Sequence, residues 1–188
     1  MKYLDISSYH NTQIVSTADL KTHCRISTSE DDTYLEALES AAVRTLEEYT
    51  NLLLLTSTCK QYGNSFEDLN ILFKSPAQAE SFEVKYRKND AWVTFSDADL
   101  IHLIKPARVT LKTNGSIPSA QDTFQAWYAQ YKVGYADIAS IPKPLIQAIK
   151  IIVATMYENR QSVIVGKTVS EIPKTAEYLM NPFKIQIL

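Results

Sequence analysis

The chain has 188 residues, 45% hydrophobic and 21% charged, enough for one real core, as one domain or a domain with an appendage. A formal net charge of -2 argues against tight nucleic-acid binding or attraction to an anionic membrane, and no apolar run approaches the roughly 20 residues that span a bilayer. Cys24 and Cys59 are too few and too isolated for a disulfide framework and read as reduced, partly buried thiols.

Charge is uneven along the chain. Residues 1–50 carry 4 basic and 9 acidic side chains, net -5, and the remainder 15 and 12, net +3. The opening MKYLDISSYH has neither an apolar segment nor a small-residue cleavage site, so it does not read as a secretory signal. Ser16-Thr-Ala-Asp19 supplies a capping residue with an acid three places on, which opens a short helix to about His23. Ser29 or Thr28 caps a second helix whose first turn holds Glu30, Asp31 and Asp32, where negative charge meets the positive end of the helix dipole. Leu35, Leu38, Ala42, Leu46, Tyr49 and Leu53 then recur at helical spacing, which predicts an amphipathic helix about 30 Å long. Its other face carries Glu36, Glu39, Arg44, Glu47 and Glu48, expected as a solvated acidic stripe or, more sharply, a docking surface for a basic partner.

After Asn51 the period changes to two. STCKQYG, NILF, SFEVKYR, AWVTF, RVTLKT and TFQAWYAQYKVGY are short, rich in β-branched and aromatic residues, and divided by turn signals such as Lys88-Asn89-Asp90 and Asn114-Gly115. Phe82, Val84 and Tyr86 should face one way and Glu83, Lys85 and Arg87 the other, while Trp127, Ala129, Tyr131 and Val133 share a face. These segments predict a small antiparallel β-region inserted between helical elements.

IPKPLIQAIKIIVATMYENR resumes the helix, with Pro142 or Pro144 in its first turn. Leu145, Ile149, Ile152, Met156 and Tyr157, with the apolar residues between them, cover more than one stripe, which predicts burial on more than one side. That surface is either the seam against the long helix or a boundary between subunits, with Glu158 and Arg160 placed to reach another element. Arg160 favours the negative helix end and Asn159 tolerates a left-handed cap. In the tail, AEYLM suggests a helical turn, and Phe183, Ile185 and Ile187 alternate with Lys184 and Gln186 as a half-buried strand would.

Little here carries chemistry. His10, His23 and His102 have no metal-ligand or triad spacing, four glycines form neither GxGxxG nor a Walker loop, and Asp97 and Asp99 read as turn residues. Neither an enzyme nor a cofactor is expected. Trp92, Trp127 and the tyrosine-rich strands, with Lys85, Arg87, Lys88, Arg108 and Lys112, form the one alternative, a stacking platform for single-stranded nucleic acid.

The order of segments resembles a known family. An early LKTHCRI helix precedes EDDTYLEALESAAVRTLEEYTNLLLL, a β-rich middle, the Pro-initiated helix ending in Y-E-N-R, and I-P-x-x-x-x-x-L-x-x-P-[FY], carried by Ile172, Pro173, Leu179, Pro182 and Phe183. It is similar to the head-tail connector, or adaptor, family of long-tailed bacteriophages and related prophage elements, over nearly the whole chain. Lys184 stands where the family usually has arginine, a compact ammonium in place of a guanidinium fork.

The resemblance implies an α+β fold, one connector domain over 1–188. It would comprise N-terminal helices over 1–55, an inserted β-rich region over 56–140, a C-terminal helix over 141–161 and an extended docking arm over 162–188. It implies a structural virion protein at the neck, made in the host cytoplasm. Copies would form a ring, typically twelve-fold, beneath the portal protein, extending the channel through which double-stranded DNA passes and presenting a surface to a stopper or tail protein. The docking arm would use Ile172, Pro173, Leu179, Pro182, Phe183, Lys184, Ile185 and Ile187 against the portal or a neighbour. A stopper or tail-terminator role is the nearest alternative.

Overall fold

In the computed structural model, residues 3–74, 81–101, 107–159, 163–164, 167–168 and 172–186 are described. The chain folds as an α+β protein that divides into two compact units, one built from 1–10, 51–137 and 185–188 and the other from 11–50 and 138–184.

The first unit is a sheet. Strands β1 (Tyr3–Ser8), β2 (Ser57–Gly63), β3 (Phe82–Lys88), β4 (Ala91–Thr94) and β7 (Trp127–Val133) form an antiparallel five-stranded sheet in the order β1-β2-β7-β3-β4. Strands β5 (Ala98–Ile101) and β6 (Arg108–Leu111) pair separately. The expected alternation holds: Val84, Tyr86, Trp127, Ala129, Tyr131 and Val133 enter one core with Cys59, Phe66 and Phe95. Asn89 and Asp90 both have positive φ, 50° and 59°, which is the geometry of a two-residue hairpin turn between β3 and β4. Three features depart from the sequence reading, the first being that Ala98–Ile101, expected to hold a turn at Asp99, is a strand with Asp99 opposite Thr110. Tyr3–Ser8 is an edge strand paired with β2, and the segment around NILF contributes only an isolated bridge between Ile71 and Arg108 after a 3-10 turn at Glu67–Leu69.

The second unit is helical: α1 (Thr17–Cys24), α2 (Asp32–Thr50), α3 (Lys143–Glu158) and α4 (Lys174–Met180). Ser16 caps α1 as expected, its hydroxyl accepting from the Asp19 N–H at 3.1 Å and donating to Asp19 Oδ2 at 2.8 Å. Helix α2 stops at Thr50, short of Leu53, because Asn51 turns left-handed at φ 57°; Leu53 instead joins the core of the sheet. Helix α3 packs on α1, α2 and α4, with Leu145, Ala148, Ile149, Ile152 and Val153 buried. Asn159 ends α3 without the left-handed geometry expected of it: φ is -112°, and its side-chain amide donates to the Thr155 carbonyl at 2.8 Å. That carbonyl also accepts the Asn159 backbone N–H at 3.1 Å, so the side chain adds a second bond at the helix end in place of a left-handed turn. Strands β8 (Val163–Ile164) and β9 (Lys167–Thr168) pair as a small hairpin.

Candidate interaction surfaces

Among the described residues no three His, Cys, Asp or Glu side chains gather as metal ligands, and no helix is long and apolar enough to cross a membrane. The acidic start of α2 is engaged within its own unit. Asp31 accepts a 2.6 Å hydrogen bond from the Tyr157 hydroxyl, and Asp32 pairs with Lys21 at 2.9 Å. Asp97 lies in the turn before β5, its backbone carbonyl accepting from the Lys112 N–H at 2.8 Å, but Asp99, expected in a turn, lies in β5 opposite Thr110, its carboxylate accepting from the Leu100 N–H at 3.0 Å. His102 lies outside the described residues. The groups with shifted acidity are mostly held in their neutral forms by burial: Tyr131 well above a usual phenol, and Tyr62, Tyr135 and Cys24 raised less, Tyr62 with help from Asp5 and Cys24 from Glu158.

The acidic face of α2 is not one surface. Glu36, Arg44 and Glu48 are exposed, but Glu39 is 4% and Glu47 0% exposed. Glu39 Oε1 accepts the N–H groups of Ile14 at 2.9 Å and Val15 at 3.1 Å, so its charge is satisfied by backbone just before α1. A second buried stripe, Glu39, Val43, Glu47 and Thr50, therefore runs beside Leu35, Ala42 and Leu46. Periodicity alone assigned both acids to solvent, and their burial removes them from any docking stripe.

The α3 residues separate by depth. Leu145, Ile149 and Ile152 are buried, Met156 and Tyr157 half-buried and Glu158 exposed; Arg160 lies outside the described residues. The predicted docking residues fold back onto the chain. Instead of a strand, Asn181–Phe183 forms a 3-10 turn, since Pro182 has no N–H to give a sheet ladder. In the helical unit Asn181 Oδ1 accepts from the Tyr49 hydroxyl at 2.7 Å, and the Lys184 ammonium sits 4.2 Å from the Tyr49 ring centre. In the sheet unit Ile185 is buried, its carbonyl accepting from Asn51 Nδ2 at 2.9 Å. Ile172, Pro173, Leu179 and Phe183 are half-buried and Pro182 and Lys184 exposed, and Ile187 lies outside the described residues. Among the described residues of the tail the most exposed large side chain is Tyr178, 79% accessible on α4, which periodicity did not single out.

A further surface was invisible in the linear pattern. On the outward face of the sheet, Tyr3, Tyr62, Tyr128 and Trp92 form a row across four strands, with ring centres 6.1, 5.7 and 4.6 Å apart. Lys60 lies 5.8 Å from the Tyr128 ring and Arg87 5.8 Å from that of Trp92. Register puts Lys85, Gln130 and Lys132 on the same face, with Asp5 and with Glu83, which pairs with Lys85 at 3.1 Å. Trp127, expected with Trp92 in a stacking platform, lies on the opposite, core side.

No curated protein sequence matches the chain. Solved structures do. A chain from the neck of an empty gene transfer agent particle computed with C6 symmetry superimposes at TM-score 0.75 with 16% identity, over 99% of this chain and 97% of that one. A chain from the virion of the native particle matches at 0.75 and 15% over 98% and 96%, and one from the native neck computed with C12 symmetry at 0.72 and 14% over 99% and 97%. The model of the phage gp6-like head-tail connector protein family matches residues 15–103 and 113–184, both the helical unit and most of the sheet, and the chain belongs to that family.

Proposed function

We propose that the protein is a structural subunit of the neck of a phage or phage-like particle, one of a ring of copies beneath the portal. On this reading the ring extends the channel for double-stranded DNA and offers a platform to a stopper or tail protein. The observation that carries it is the family match over both units, supported by end-to-end likeness to chains of particles whose necks were computed with C6 and C12 symmetry. A net charge of -2 suits a channel wall, because tight phosphate binding would retard passage of the duplex.

The tail is the element we assign to portal or neighbour contact, with Ile172, Pro173, Leu179, Pro182, Phe183, Lys184, Ile185 and Ile187 as its residues. Its conformation divides the labour: Ile185 anchors and Tyr178 with Pro182 offers the exposed contact. Leu145, Ile149, Ile152, Met156 and Tyr157 serve the fold of the helical unit. We assign Glu158 and Arg160, with the helix face of Glu36, Arg44 and Glu48, to contacts with another element or copy.

Negative-stain imaging of the purified protein with and without its portal protein tests the reading. Rings, alone or on the portal, are expected; a chain that stays monomeric in both preparations would reject it.

A further inference from the structure

The five-stranded sheet is open at both sides. Among the described residues β1 pairs only with β2, and β4 only with β3. All four residues of β4, Ala91, Trp92, Val93 and Thr94, are exposed, whereas the inner strands β2 and β7 are buried at alternate positions or more. Exposed edge strands are usually blunted by charge or proline, and β4 carries neither.

The direction of the backbone groups at each edge follows from alternation along the strand. The Phe95 N–H donates to the Val84 carbonyl at 2.7 Å, so Ala91 and Val93 turn their backbone groups to β3, and Trp92 and Thr94 turn theirs to the open edge. On the other side Thr58 faces β1, its N–H donating to Ser8 Oγ and its carbonyl accepting from Ser7 Oγ, each at 3.1 Å. Lys60 and Tyr62 therefore face β1 too. They engage Asp5 and Tyr3, and the backbone groups of Leu4 and Ile6 point outward.

We propose that β4 of one copy takes β1 of the next copy as a sixth strand, joining the two sheets. Four antiparallel pairings separate β1 from β4, so both edges run in the same direction, and rotation about an axis along the strands sets them side by side as a parallel pair. With Tyr3 beside Trp92, Leu4 falls beside Val93 and Asp5 beside Thr94. The Leu4 N–H then donates to the Trp92 carbonyl, the Thr94 N–H to the Leu4 carbonyl, and the Ile6 N–H to the Thr94 carbonyl.

The side chains fit the same register. Leu4 packs half-buried against the core side of the sheet, and Val93, opposite the core residue Tyr86, is 36% exposed on that side. Tyr3 and Trp92, 54% and 39% exposed, are the two ends of the outward aromatic row, whose inner ring Tyr128 is 8% exposed. Joining the edges covers both ends and continues the row into the next copy. The two edges differ, so the contact is heterologous, of the kind that closes by rotation into a ring. The inference rests on the ring reading above and names the edges that meet.

Cross-linking in the full-length protein, with the portal present, tests it. Leu4→Cys together with Val93→Cys puts a thiol on each facing edge, and oxidation of the assembled protein should give a ladder of covalent multimers on non-reducing gels. Each single variant sets the background from Cys24 and Cys59. Thr94→Pro removes an N–H that faces the partner and leaves the bonds to β3, so it should raise the concentration for half-assembly, read by mass photometry, by about tenfold or more. Both variants are screened by circular dichroism, and either one decides alone if the other misfolds. Rings in negative stain without a ladder, or wild-type assembly of Thr94→Pro, would overturn the pairing and leave the ring reading standing. A ladder from a protein that forms no rings would keep the pairing and reject the ring, and the absence of both would reject the two together.

Discussion

Glu39 on α2 holds Ile14 in place through a 2.9 Å hydrogen bond from the Ile14 N–H to its Oε1, and the same oxygen takes the N–H of Val15 at 3.1 Å. Ile14 and Val15 are 5% and 2% exposed, so no water stands ready to replace the acceptor. The carboxylate also lies near the positive end of α1, which begins at Thr17. Glu39→Ala should therefore cost about 3 kcal/mol, since two buried donors lose their partner at once. Glu39→Gln keeps an acceptor of the same reach and should cost about half that. Urea midpoints of the two variants measure the difference, and equal losses would mean that the charge contributes nothing.

A different network locks the sheet unit. The Tyr131 hydroxyl donates to the Phe73 carbonyl at 2.8 Å, and Gln61 takes the Phe73 N–H at 2.9 Å while its amide donates to the Ile71 carbonyl at 2.8 Å. Tyr131→Phe leaves a buried carbonyl unserved and should cost about 1–2 kcal/mol near neutral pH. Burial holds the phenol well above its ordinary value of 10.0. The unfolded chain then loses this proton first, so the contribution is complete below about pH 10 and falls as pH rises beyond it. Tyr131→Phe should have a shallower alkaline limb than wild type in a pH series of melting temperatures. Tyr62 and Tyr135, also raised, keep the limb from vanishing in the variant.

Much of this was legible in the sequence, for a physical reason. Alternation along β3 and β7, the Ser16 cap and the apolar stripe of α2 are set by neighbours two to four residues away, and the chain displays those rules locally. What escaped depends on partners far along the chain. Glu39 looked solvated because its acceptors' partners lie 24 and 25 residues earlier. Strand β1 gains its identity only by pairing with β2, as where Tyr3 meets Tyr62. The aromatic row requires the register of the whole five-stranded sheet, and Tyr3, Tyr62, Tyr128 and Trp92 share no spacing that a linear reading could find.

Gly134 illustrates a constraint that is local in geometry and distant in sequence. It adopts φ 98°, and a Cβ there would drive into the Leu55 carbonyl and the Thr56 nitrogen. That backbone is held by Tyr135, whose N–H donates to the Leu54 carbonyl at 3.0 Å and whose carbonyl accepts from Thr56 at 3.1 Å. Gly134→Ala combines left-handed strain with a backbone clash and should cost about 3 kcal/mol or more. Thermal melts against a Gly115→Ala control separate the causes. Gly115 has no positive φ in that range and only 3.1 Å contacts, so its change should be the smaller.

Ile149 tests whether α3 serves the fold or a subunit boundary. It is fully buried in the helical unit. Ile149→Glu should unfold that unit, since an unpaired carboxylate there costs several kcal/mol. Loss of helical circular dichroism and of soluble protein is the expected result. A soluble, helical monomer that only fails to form rings would move this face to the boundary between copies.

The tail makes the sharpest demand, because anchoring and docking fall on adjacent residues. Removing residues 182–188 takes away Ile185, 2% exposed, together with the carbonyl that Asn51 donates to. Loss of that burial and hydrogen bond should lower stability by about 2–4 kcal/mol whether or not the tail touches a portal. Portal binding by the truncated chain is therefore ambiguous on its own. Tyr178→Ala resolves it: the side chain is 79% exposed, so its removal should change stability by no more than about 0.5 kcal/mol. If the tail docks, Tyr178→Ala should weaken co-sedimentation with the portal at an unchanged melting temperature, and Ile185→Ala should lower the melting temperature first. Portal binding unaffected by Tyr178→Ala, and lost on truncation only in step with unfolding, would make the tail an internal clasp.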